Sequence, residues 1–94
     1  MLTYKSAYKW EDGVCLGEVL DFPGTVSFGR TLDEARKNLA GALQDMAETN
    51  LLRGEALPTP NAAASDPEAE IDEPIYLVLQ VGQSISMHVA TPTP

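Results

Sequence analysis

Cysteine, histidine and basic residues are all scarce in this 94-residue chain, and each shortage excludes something. With Cys15 as its one cysteine it has no intramolecular disulfide and no multi-cysteine zinc site. Cys15 lies in the apolar stretch GVCLGEVL, which reads as a small buried hydrophobe rather than a reactive thiol. The lone histidine, His88, has no partner in sequence and reads as a surface or packed side chain rather than a catalytic one. Six lysines and arginines face fourteen acids, for a net charge of −8. A surface of that sign repels phosphate backbones, so autonomous nucleic-acid binding is not expected, whereas a basic protein partner is suited to it. No run of apolar residues is long enough to span a bilayer. The opening MLTYKSAYKW has no apolar core, so no secretory signal is expected and the protein is placed in the cytoplasm.

What is present is ordinary globular material, 44% apolar and 21% charged, enough for one small packed domain over residues 1–90. LTYKSAYKW, residues 2–10, alternates with Leu2, Tyr4, Tyr8 and Trp10 on one side and Thr3, Lys5 and Lys9 on the other, as a half-buried strand does. Asp12-Gly13 follows, a strong hairpin signal. VCLGEVL, residues 14–20, then reads as the second strand. In Asp21-Phe22-Pro23-Gly24 the proline presets φ and the glycine accepts a positive φ, which predicts a type II turn. TVSF, residues 25–28, makes a short third strand and completes an antiparallel meander.

A helix follows. Thr31 is placed as N-cap with Glu34 completing a capping box. Leu32, Ala35, Leu39, Ala42, Leu43 and Met46 recur at helical spacing, Arg53 stands in the last turn, and Gly54 closes the element. Residues 55–74, with four prolines and six acids, read as a solvated, mobile loop. IYLVLQV, residues 75–81, is expected as a strand, bent at Gly82 and continued through Ile85, Met87 and Val89, before a frayed tail at 91–94. The class is therefore α+β: a three-stranded antiparallel meander, one amphipathic helix and a further strand (βββαβ), with the helix packed on one face of the sheet.

GTVSFGRT, residues 24–31, has the glycine spacing of a phosphate-binding loop but fails its chemistry. The four residues between the glycines alternate as a strand, so their N–H groups point to both sides and make no concave nest. Gly24 belongs to the Pro-Gly turn, and Arg30 stands where the loop requires lysine. Nucleotide binding is not expected.

The same residues fit another pattern. LDFPGTVSFGRTLDEARKNLAGAL, followed by LLRGEALPTP, resembles the HicB-type antitoxin domain. The resemblance rests on Asp21, Pro23 and Gly24; then Gly29, Thr31, Glu34 and Ala35; then Gly54, Pro58 and Pro60. It implies a βββαβ arrangement related to a degraded ribonuclease H fold. It also implies a partner, a small HicA-type toxin that cleaves RNA and is neutralised by protein–protein contact, and it implies homo-oligomers. Two departures stand out: Thr25 where a cysteine often follows the Pro-Gly pair, and, in SISMHVATPTP, no helix-turn-helix or ribbon-helix-helix region. Direct DNA binding is accordingly not expected.

The expected role is that of a non-enzymatic antitoxin or relative that binds a small basic toxin. Candidate partner-binding residues are Glu11, Asp12, Glu18 and Asp21, with the acidic loop at 66–73. Pro23, Gly24, Gly29, Thr31, Glu34 and Gly54 are expected to be determinants of the fold. The alternatives are a solitary homo-oligomeric regulatory or ligand-binding domain, pairing through the strand at 75–90, or a residual metal-dependent nuclease. The nuclease needs carboxylates converging on metal ions, and the first strand contains no acid. No catalytic residue, metal ligand or cofactor is assigned.

Overall fold

The computed structural model describes residues 2–79, so the expected continuation through Gly82, Ile85, Met87, His88 and Val89 and the 91–94 tail lie outside the described residues. The elements are β1 (Leu2–Glu11), β2 (Val14–Val19), β3 (Val26–Gly29), α1 (Leu32–Leu52) and β4 (Ile71–Leu77). The strands form one antiparallel sheet in the order β3-β2-β1-β4, with α1 across one face. This is the α+β arrangement the sequence pattern predicts.

The local signals act as their chemistry requires. Asp12 and Gly13 both adopt positive φ (52° and 78°), the primed turn that matches the twist of the β1–β2 hairpin. At the next turn the Thr25 N–H donates to the Phe22 carbonyl at 3.2 Å, with Pro23 and Gly24 (φ 87°) as the central pair. Thr31 caps α1, its Oγ1 accepting the Glu34 N–H at 3.1 Å. Glu34 reaches back to the Arg30 N–H at 3.2 Å, one residue beyond the N–H that an ordinary capping box takes. At the other end Arg53 is the C-cap rather than a member of the last turn. Gly54 N–H donates to the Leu51 carbonyl and Glu55 N–H to that of Asn50, the Schellman pattern.

Ala35, Leu39, Leu43, Ala47 and Leu51 form the buried line of α1, one residue per turn. They pack on Tyr4, Tyr8, Cys15, Val19, Ile75 and Leu77 of the sheet. The expected stripe caught the first three; Leu32 and Met46 flank the core half-buried, and Ala47 and Leu51 extend it. Close approach of helix and sheet depends on Gly29. A Cβ there would lie 2.5 Å from the Ala35 backbone nitrogen and 2.9 Å from the Glu34 carbonyl carbon, neither of which can give way.

Residues 55–74, expected as one loop, divide into two parts. The last four belong to β4, which therefore starts at Ile71 rather than Ile75. Pro74 is tolerated within the strand for a geometric reason. Its partner in register is Lys5, whose N–H and carbonyl are spent on the opposite side, on Asp21 and on the Leu20 N–H. Pro74 thus occupies a non-hydrogen-bonded pair, and its missing N–H faces the open edge, where no ladder bond is lost.

The remainder is tied to the sheet at several points. Leu57 is fully buried in the core, and Pro58 O accepts the Tyr4 hydroxyl at 2.7 Å. Asn61 N–H donates to Asp21 Oδ2 at 2.8 Å, and Glu70 Oε2 accepts the Trp10 N–H at 2.7 Å. Asn61 and Asp66 each accept the N–H two residues on, the side-chain-closed turns these residues favour. Composition alone concealed this path because its anchors are single residues spaced along a polar run.

Candidate binding surface

Among the described residues, helix α1 covers one face of the sheet and leaves the other open. On the other face the register aligns two rows of side chains across the strands. One row runs Asp72, Ala7, Glu18, Val26, and the other Lys9, Leu16, Phe28. Ser27 and Gly29 alternate toward the helix, so Val26 and Phe28 must point away from it. They do, and they are 61% and 66% exposed.

The segment before β4 lies along this face and supplies a wall. Asp66 and Ala69 stand on one side, Val26 and Phe28 on the other, with Ala7 and Leu16 between them, enclosing a groove of about 390 Å³. Lys9 at its rim pairs with Glu68 at 3.9 Å. Toward the start of β1, Lys5 Nζ lies 3.3 Å from Asp72 and donates to the Ala62 carbonyl at 3.5 Å, within a second, more polar hollow that includes Asp21 and Pro60. Two further large apolar side chains, Tyr76 and Val78, are exposed at the end of β4.

The four candidate acids do not converge. Glu11 and Asp12 sit at the β1–β2 hairpin, exposed to solvent. Glu18 lies on the open face, between Ala7 and Val26, and lines the groove. Asp21 lies beyond the far end of β2, and its two carboxylate oxygens accept the N–H groups of Lys5 and Asn61, each at 2.8 Å. Its geometry is that of a clamp between β1 and the segment after α1. Of the acidic stretch 66–73, Glu70 and Glu73 are similarly occupied within the domain. Glu73 receives Arg36 through two bonds of 2.7 and 3.0 Å, a bidentate pair that holds the first turns of α1 to β4.

The titratable groups on the helix side are set for packing. Burial, with a contribution from Asp21, pushes the Tyr4 hydroxyl up to about 12. Burial likewise raises Tyr8 and Cys15 above their ordinary values. Hydrogen bonding to Glu73 raises Arg36 further still. Among the described residues no three His, Cys, Asp or Glu side chains stand close enough to hold a metal ion. Among the same residues no helix is long and apolar enough to cross a membrane.

Sequence reasoning named Glu18 but missed Val26, Phe28, Leu16 and Ala7. A usable signal was present. Gly29 must face the helix to let it approach, and in a strand that fixes Ser27 inward and Phe28 and Val26 outward.

Comparison with known proteins adds the fold's lineage. No protein-family model matches the chain, and no curated protein matches it. Among solved structures, the chain is similar to the antitoxin HicB of Burkholderia pseudomallei, with 26% identity and a TM-score of 0.75 over all of this chain and 75% of that one. It is also similar to the N-terminal domain of B. pseudomallei antitoxin HicB, with 26% identity and a TM-score of 0.67 over 83% of this chain and the whole of that domain. The fold is that of a HicB-like antitoxin.

Proposed function

We propose that this chain, which carries a HicB-like antitoxin fold, is an antitoxin-type binding protein that neutralises a small basic RNA-cleaving toxin of HicA type by covering it. The observation that carries the reading is the similarity to solved HicB antitoxins, which extends over the whole chain. The charge of −8 supports it, because a strongly acidic surface speeds and orients encounter with a basic protein. In this reading the chain performs no chemistry of its own and works in the cytoplasm. Homo-oligomers belong to the proposal. Beyond Pro74 the outer edge of β4 leads to the exposed Tyr76 and Val78, where a second copy can pair.

The test is to tag the protein, recover it from its own cells at low salt and identify what accompanies it by mass spectrometry. A stoichiometric small basic protein, released by high salt and cleaving RNA until the tagged chain is added back at equal amount, is the expected result. Recovery of the bait alone, as a stable homo-oligomer, would overturn the toxin-binding reading and favour a solitary domain.

A further inference from the structure

We infer that the groove on the open face of the sheet, between Val26 and Phe28 on one side and Asp66 and Ala69 on the other, is where a basic partner docks. The occupant is an arginine or lysine side chain flanked by an apolar one. This rests on the proposed function and adds to it the surface and the chemistry of the contact.

Three observations lead there. The first is the cost of the surface. Val26 and Phe28, two residues apart on a four-residue strand, hold more than half of their surface in water, while Leu16 beside Phe28 extends the apolar floor. Clustered exposure of this kind marks interaction sites, and single scattered apolar residues do not. The second is that the other routes are narrow. Among the described residues the helix face is closed by the core, and each sheet edge is interrupted along part of its length. On β3, Asn38 Nδ2 donates to the Phe28 carbonyl at 2.9 Å, occupying an outward acceptor. On β4, Pro74 has no N–H to offer.

The third is charge, and it chooses the occupant. A second copy would bring another −8 to this face, which Coulomb repulsion opposes at low salt. A basic partner meets no such barrier, since Lys9, the cation at the groove's rim, is paired with Glu68. Glu18 stands in the row between Ala7 and Val26, so a carboxylate lies within the apolar groove itself. That arrangement matches a long cationic side chain: its aliphatic stem lies on Leu16 and Val26, its charged head meets Glu18, and the Phe28 ring offers a cation–π face. Asp66 on the wall adds a second negative charge. The groove, at about 390 Å³, is at the small end of ligand-sized sites, which suits one or two side chains rather than a whole helix.

The test titrates the purified partner recovered by the pull-down against this chain by calorimetry at low salt. Wild type, Phe28→Ala and Glu18→Lys are compared, with Leu52→Ser as control because Leu52 is exposed at the end of α1, away from the groove. Each variant's folding is checked by its thermal transition. Phe28→Ala is expected to weaken binding at least roughly tenfold, as a buried aromatic anchor does. Glu18→Lys is expected to weaken it by a similar factor at low salt and to flatten its salt dependence. The control should bind as wild type does. If both groove variants bind like wild type, the docking surface is elsewhere and this inference fails while the proposed function stands. If wild type recovers no basic partner, the proposed function falls and this inference falls with it. If Phe28→Ala instead dissociates a homo-oligomer of the chain, the face belongs to a second copy and the basic occupant is refuted.

Discussion

Replacing Asp21 by alanine separates a folding role from a binding one. The carboxylate accepts the Lys5 N–H on β1 through Oδ1 and the Asn61 N–H through Oδ2, each at 2.8 Å. One side chain therefore joins β1 to the segment between α1 and β4. Hydrogen bonds to a charged acceptor contribute about 1.5–3 kcal/mol each in mutational series. The Asn61 bond is exposed and contributes toward or below the low end, and the Lys5 bond is only partly buried. A net loss of about 2 kcal/mol is the consistent expectation. For a domain of this size that lowers Tm by roughly 8–16 °C. Urea unfolding followed by circular dichroism measures it, with the m-value expected to stay constant because the same surface is exposed on unfolding. Asp21→Asn should lose part of this, since an amide keeps one acceptor oxygen and loses the other. An Asp21→Ala midpoint equal to that of wild type would refute the clamp and return Asp21 to the pool of candidate partner contacts.

Four more outcomes follow from particular contacts, each read by the same unfolding assay. Gly29→Ala is expected to destabilise by about 1–3 kcal/mol, because the new Cβ meets helix backbone that cannot move aside. Gly41→Ala is expected to stabilise by roughly 0.5–1 kcal/mol, since that position is exposed in mid-helix with nothing within 4 Å of an added Cβ. Thr31→Ala should cost about 1 kcal/mol through loss of the cap, and an unchanged Tm would count against the helix start seen here. At alkaline pH the sign comes from Tyr4: its folded value is raised to about 12 against the ordinary 10, so its contribution is complete below pH 10 and is lost as pH rises toward 12. Tyr4→Phe should flatten the pH dependence in that window, and an identical alkaline transition in wild type and variant would contradict the burial argument.

The sequence disclosed those parts of the fold whose signals are local. Asp12-Gly13, Pro23-Gly24, Thr31 and Gly54 each need only a few neighbouring residues to do their work, and each is seen in its expected place, while Glu34 takes the Arg30 N–H instead of that of Thr31. The start of β4 was hidden because Pro74 argues against a strand unless its partner is known. Only the register with Lys5 shows that the missing N–H points outward. The open face was hidden for a related reason. Alternation in TVSF shows that Val26 and Phe28 share a side, but that this side lies away from the helix follows only once Gly29 is taken as the point of close helix approach. The same limit applies to the acids. Asp21 and Glu70 look like free surface charge in sequence, and only the fold brings backbone N–H donors to them from residues 40 and 60 positions away.

The way the edges are finished bears on what kind of association this domain can make. A strand edge offers repeated main-chain bonds that are blind to sequence, and it pairs readily with any extended chain. Here Asn38 occupies the Phe28 carbonyl on one edge, and Pro74 interrupts the other, so that strand pairing along β4 is left to its Tyr76–Val78 end. The open face, by contrast, offers side chains: an aromatic ring, aliphatic neighbours and a carboxylate at fixed register. Recognition of that kind depends on the partner's chemistry and weakens with salt, because its charged component is exposed to screening. A protein that must bind one basic partner among many, and must not polymerise through its own sheet, is better served by the second arrangement. On the proposed reading the scarcity of basic residues serves the same end, for it leaves exposed acids such as Glu11, Asp12 and Glu18 available to a basic partner.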